Sequence, residues 1–158
     1  MSPLKPKSAG SPKQQLDSFL AKFTPEMAKF ARRVLVRMRK RLPNAIEMVY
    51  DNYNALVIGF APNERPSDAI FSIVIFPRKI ALCFLQGAKL PDPHKRLRGS
   101  GNVVRNVRVD ELSVLDDPLV VTLMNEALLR AKVRMDPKHK RKLIIRSISA
   151  KQRPRRPA

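Results

Sequence analysis

The chain of 158 residues is poor in cysteine, histidine, glycine and acid. It has one Cys, two His, five Gly and no Trp, and only 13 Asp+Glu stand against 32 Lys+Arg. The lone Cys83 excludes an internal disulfide framework and suits a reducing compartment. It lies inside Ala81-Leu82-Cys83-Phe84-Leu85, where it reads as a small core hydrophobe. His94 and His139 fall in the basic runs Pro93-His94-Lys95-Arg96 and Lys138-His139-Lys140, whose charge disfavours a cation. No metal site and no cofactor are therefore expected. Long hydrophobic runs are missing too. Ala69–Phe76 spans eight nearly apolar residues, far short of the roughly 20 that cross a bilayer. The start Met1-Ser2-Pro3-Leu4-Lys5 has no apolar segment of a secretion signal, so a cytoplasmic location is expected. No catalytic constellation stands out either, since Arg98-Gly99-Ser100-Gly101-Asn102 matches neither a nucleophile elbow nor a phosphate loop. Its glycines read as turn formers leading into a strand.

What is present is an apolar core with a strong excess of positive charge. The net charge is +19. Residues 1–11 and 149–158 are rich in Pro, Ser and basic residues and poor in apolar ones, so both are expected to be disordered basic tails flanking a single domain over 12–148. Ser11-Pro12, Thr24-Pro25 and Asp117-Pro118 each place a capping side chain before a proline at the first helical position. Apolar residues then recur with helical period: Leu16, Phe19, Leu20 and Phe23 in the first segment, and Met27 through Leu42 in the second. The third runs from Val120 through Ala127 and Ala131 to Met135. Between them the period falls to two. Strands are expected near Ile46–Tyr50, Ala55–Ala61, Ala69–Phe76, Ile80–Gln86, Asn102–Val109 and Lys142–Ile148. Ala69–Phe76 and Ile80–Gln86 are apolar at nearly every position and read as central. The order predicts an α+β fold, a two-layer sandwich in which two N-terminal helices and one C-terminal helix pack on a mostly antiparallel sheet of about five to six strands.

The ordered part resembles the bacterial YdhG-like domain family, known mainly as a domain of unknown function. The resemblance is carried by the two amphipathic helices ending Lys40-Arg41-Leu42-Pro43 and by Tyr50-Asp51-Asn52-Tyr53-Asn54-Ala55-Leu56. It continues through Phe84-Leu85-Gln86-Gly87, Leu90-Pro91-Asp92-Pro93 and Gly99-Ser100-Gly101, covering about residues 13–150. It implies a small α+β fold and, as in some members, a frataxin-like iron chaperone role.

The residues themselves point first to an anionic partner. Lys29, Arg33, Arg37 and Lys40 align opposite the apolar stripe of the second helix. From Pro137 to the end there are nine Lys/Arg and no acid, including Arg153, Arg155 and Arg156. Such a surface attracts nucleic acid or another polyanion, while a merely solvated basic surface is the plain alternative. Within Val103–Val109, alternation places Arg105 on the face of Val103, Val107 and Val109. A buried arginine needs a partner, either a carboxylate such as Asp92 or Glu47 or a bound anion. With Arg98 and Arg108 nearby in sequence, Arg105 is a candidate anion-binding residue. Tyr50, Asp51 and Tyr53 form either a turn or the rim of a ligand site. The expectation is a non-catalytic binding module for an anionic small molecule or, without sequence preference, nucleic acid; the metal-chaperone role is the alternative.

Overall fold

The computed structural model describes residues 10–157, so residues 1–9 of the expected N-terminal tail lie outside the described part. Helix α1 (Pro12–Leu20) begins with a reciprocal cap: Ser11 Oγ accepts from the Gln14 N–H, and Gln14 Oε1 accepts from the Ser11 N–H. Helix α2 (Pro25–Arg41) is capped by Thr24 and α3 (Pro118–Arg130) by Asp117, each followed by proline where a free N–H is not needed. The third apolar stripe was expected to continue to Met135, but the helix ends at Arg130.

Between α2 and α3 the chain forms strands β1 (Ile46–Asp51), β2 (Leu56–Ala61), β3 (Phe71–Ile75), β4 (Ile80–Phe84) and β5 (Arg105–Arg108). After α3 comes β6 (Lys142–Ile148). The sheet order is β5-β4-β3-β2-β1-β6, an antiparallel meander with β6 added parallel to β1. The fold is thus α+β, with three helices and a six-stranded mixed sheet that does not close. β2 and β3 occupy the middle of the sheet, and β4 sits one strand in from the β5 edge. The last strand of the meander is shorter than the expected Asn102–Val109. Val103 and Val104 are exposed, because Gly99 adopts φ +123° and the loop doubles back to bridge Arg98 with Asn106.

All three helices pack on one face of the sheet. Leu20, Val34, Leu35, Val120 and Met124 share one buried cluster with Val49, Ile58, Phe60, Ile73, Leu82 and Val107. Because paired residues point to the same side, the pairs Glu47↔Phe60, Val49↔Ile58 and Asp51↔Leu56 place Glu47 and Asp51 on this helix-covered face. The opposite face carries Tyr50, Val57, Val74 and Ala81 in one row. Ile46, Met48 and Ala61 form a small buried cluster at its other end.

Candidate functional site

Two carboxylates under the helices are an electrostatic problem, since an unpaired buried charge costs several kcal/mol. β1 solves it twice. Glu47, 1% exposed, accepts from Arg39 Nε and Nη2 at 2.9–3.1 Å and from Arg141 Nε at 3.1 Å. Asp51 is fully buried; its Oδ2 accepts from Lys22 Nζ at 2.7 Å and its Oδ1 from Arg155 Nη2 at 2.8 Å. Burial pushes the Asp51 carboxyl up, but hydrogen bonds from Lys22, Arg155 and Gln152 outweigh it and leave the acid below its ordinary range.

Arg155 corrects the reading of the C-terminal tail. Residues 149–158 were expected to be disordered, yet in the described part, up to 157, Ser149 N–H donates to Asp51 O and Arg153 N–H to Tyr53 O, both at 2.9 Å. The Arg155 side chain is 2% exposed and donates to the carbonyls of Asn52 and Tyr53 as well as to Asp51. Its guanidinium lies over the Phe23 ring. Composition misleads here because the segment docks through charge and backbone hydrogen bonds, with no apolar run of its own. Tyr50-Asp51-Asn52-Tyr53 is accordingly a seat for the chain's own terminus. Arg153 stacks over Tyr53, and Arg156 reaches the carbonyls of Ala21 and Lys22. Arg155 therefore leaves the basic surface. In the sequence a signal was present: Glu47, Val49 and Asp51 share one side of a strand, so two cations had to arrive from elsewhere.

Arg105 also departs from expectation. It pairs with Phe84 across β4 and faces the core side, but it is only half-buried and meets no carboxylate. Its Nη1 donates to the carbonyls of Gly101 and Val104. Asp92 is engaged with the backbone N–H groups of Arg96 and Leu97, and Glu47 with Arg39 and Arg141. Arg98 is exposed, and Arg108 points to the other face and pairs with Asp110 at 2.6 Å. Four strand spacings, about 19 Å, separate Arg105 on β5 from Tyr50 and Asp51 on β1. The structure brings no common site together from these residues.

Arg105→Ala should consequently cost only about 1 kcal/mol, the worth of hydrogen bonds to backbone at a half-buried site. Its neighbour Gly87 is the more sensitive position. A Cβ there would stand 2.6 Å from Arg105 Cβ and 2.9 Å from Phe84 Cβ, so Gly87→Ala should cost roughly 1–3 kcal/mol. Urea unfolding of both variants checks the order; a larger loss for Arg105→Ala would mean that this arginine has a charged partner.

What remains is the outer surface of α2. Arg37 and Arg41 leave it, because both bond Asp116, whose carboxyl is held low chiefly by the hydrogen bond from Arg37. Lys29, Arg32, Arg33 and Lys40 are exposed and have no carboxylate partner among the described residues. Clefts run along both sides of this row. One of about 610 Å³ between α1, α2 and β6 has Leu16, Leu20, Leu35 and Leu143 in its walls, with Lys13, Arg32, Arg39, Arg141 and the carboxylate Asp17 around them. The other, of about 440 Å³, is lined by Lys29, Arg32, Arg33, Arg37, Val36 and Leu112. Arg32 replaces Arg37 in the row that sequence spacing picked out.

Among the described residues no three His, Cys, Asp or Glu side chains lie close enough to hold a metal ion. Cys83 is half-buried on the sheet face away from the helices, a place different from the expected core, and burial pushes its thiol up despite a hydrogen bond with Ser72. No helix of the described residues is long and apolar enough to cross a membrane. No family model matches the chain, and neither does any curated protein or solved structure.

Proposed function

We propose that this chain, in keeping with its YdhG-like resemblance, is a non-catalytic α+β binding module whose partner is anionic, and that α2 engages the phosphate backbone of a nucleic acid. The observation that carries this reading is the row Lys29, Arg32, Arg33 and Lys40. Asp116 is committed to Arg37 and Arg41 and Glu47 to Arg39 and Arg141, which leaves Glu26 as the one acid on α2 itself. Eleven residues of helix separate Lys29 from Lys40, about 16 Å along the axis, so the row can follow several phosphates. Exposed side chains on a rigid helix lose few other contacts when they meet phosphate, and net +19 draws a polyanion from a distance. The one aromatic between Lys29 and Lys40, Phe30, is half-buried against the core. Contacts to phosphate without base readout give sequence-tolerant binding.

The test is fluorescence anisotropy with a labelled duplex over a range of salt. Each phosphate neutralised contributes a slope near −0.9, so changing all four residues to Gln should flatten the slope by about 3.6 if all four touch phosphate. Thermal melting should stay unchanged, because the four side chains are exposed. Absence of binding at low salt, or a variant that binds as the parent does, overturns the reading. Truncating the C-terminus is an unsuitable control, since Arg155 belongs to the Asp51 ion-pair group.

A further inference from the structure

A second concave site lies away from α2, where the C-terminal turn of α3 passes the end of β4. The apolar stripe of α3 narrows along its length: Val120, Leu123 and Met124 fill the core, and Ala127 and Ala131 follow. Two small side chains in place of large ones leave a cavity of about 450 Å³. That volume lies in the range of small-molecule sites, about 300–1,000 Å³. Its apolar walls include Ile70, Phe84, Leu90, Ala127 and Ala131, and Ser67 and Gln86 are the uncharged polar side chains in the lining. The charge at its mouth is biased, with Lys89, Arg130 and Lys132 against the single carboxylate Asp68. Asp68 already accepts from Asn63 and lies 3.6 Å from Arg65, and Arg130 bonds Glu126. Lys89 and Lys132 are exposed and have no carboxylate partner among the described residues.

We infer that this cavity binds a small amphipathic carboxylate, its apolar body between α3 and β4 and its carboxylate at Lys89 and Lys132. Phe84 and Ile70 offer no polar group to an inserted chain, which selects an alkyl or aryl body. Two flexible lysines at the mouth favour one compact negative head over a neutral one. This site shares no residue with the α2 row, so it stands or falls independently of the nucleic-acid reading.

Titration with octanoate and decanoate, followed by backbone amide NMR of the full chain, tests this. Each buried methylene is worth about fourfold in affinity, so decanoate should bind about 15-fold more tightly than octanoate. Shifts should centre on Ile70, Phe84 and Ala131. Decanol, which lacks the charge, should bind several-fold more weakly than decanoate. Lys89→Gln with Lys132→Gln should remove that preference and leave the chain-length effect intact. Ala131→Leu should fill the cavity and abolish decanoate binding; its amide spectrum without ligand shows whether the fold is kept, and the lysine variants, exposed as they are, carry the test if it is not. Equal affinity for octanoate and decanoate, or shifts confined to α2, overturns the assignment.

Discussion

Arg155→Ala should destabilise the protein by about 3–5 kcal/mol, although the residue lies three positions before the last one of the sequence. Its guanidinium and the Asp51 carboxylate are both withdrawn from water, with side-chain exposures of 2% and 0%. Removing the arginine leaves Asp51 with Lys22 as its one cation, whose side chain is 41% exposed and screened by solvent. The seat of the terminal segment on Asn52 and Tyr53 is lost at the same time. Asp51→Asn should be costly for the converse reason, an arginine held inside without its anion. One buried donor, Arg155 Nε, has no protein acceptor among the described residues. The pair is therefore not an ideal one, and the double variant Asp51→Asn/Arg155→Ala should lose clearly less than the two single losses added. Urea unfolding of the three variants provides the cycle; a loss under about 1 kcal/mol for Arg155→Ala would show that the terminal segment is undocked in solution.

The same group sets a pH dependence. The folded Asp51 acid lies below its unfolded value, so its stabilisation is fully present above the unfolded value near pH 4. It fades as pH falls through the lower, folded value, because protonation then removes the charge that Lys22 and Arg155 hold. Unfolding curves between pH 7 and pH 3 should show a loss below about pH 4 that Asp51→Asn lacks.

Phe71→Ala should cost a similar amount, about 3–5 kcal/mol, by a different cause. The ring is fully buried on a central strand and meets Phe84 edge to face, with centroids 5.5 Å apart and planes at 81°. Truncation removes apolar burial, an aromatic pair contributing about 0.5–1.5 kcal/mol, and opens a cavity that flanking strands cannot close. For a chain of this size the melting temperature should fall by roughly 10 °C. Phe71→Leu, which keeps most of the volume, should lose less than half as much. Equal losses would mean that the ring's edge-to-face contact, and not the volume it fills, carries the stability at this position.

How much of this was legible beforehand follows from the range of the forces involved. Helix starts were legible because Ser11, Thr24 and Asp117 cap through bonds spanning two or three residues, and the following prolines act on their own backbone. The strands of the β1–β4 meander were legible because alternation and short turns are local. β6 was legible as a strand, but its place beside β1 depends on a parallel pairing of residues about 96 apart, such as Ile46 with Lys142. Arg105 shows the limit of alternation. The rule found its side of the strand correctly, but a glycine-bearing loop supplied carbonyl acceptors and made a carboxylate unnecessary. Helix α2 shows another: spacing placed Arg37 on the polar face, and only the approach of Asp116 from the segment before α3 removed it.

The sequence by itself determined the class of fold, the positions of the helices and most strands, and the excess of positive charge. These rest on local backbone preference, hydrophobic period and simple counting. Tertiary structure alone decided which charges are spent inside and which remain outside. Asp51 meets Arg155 across 104 positions and Glu47 meets Arg141 across 94, and no local pattern encodes such distant partners. Each buried carboxylate had to be neutralised wherever a cation could reach it. That requirement draws Arg39, Arg141 and Arg155 into ion pairs and leaves Lys29, Arg32, Arg33 and Lys40 for the surface.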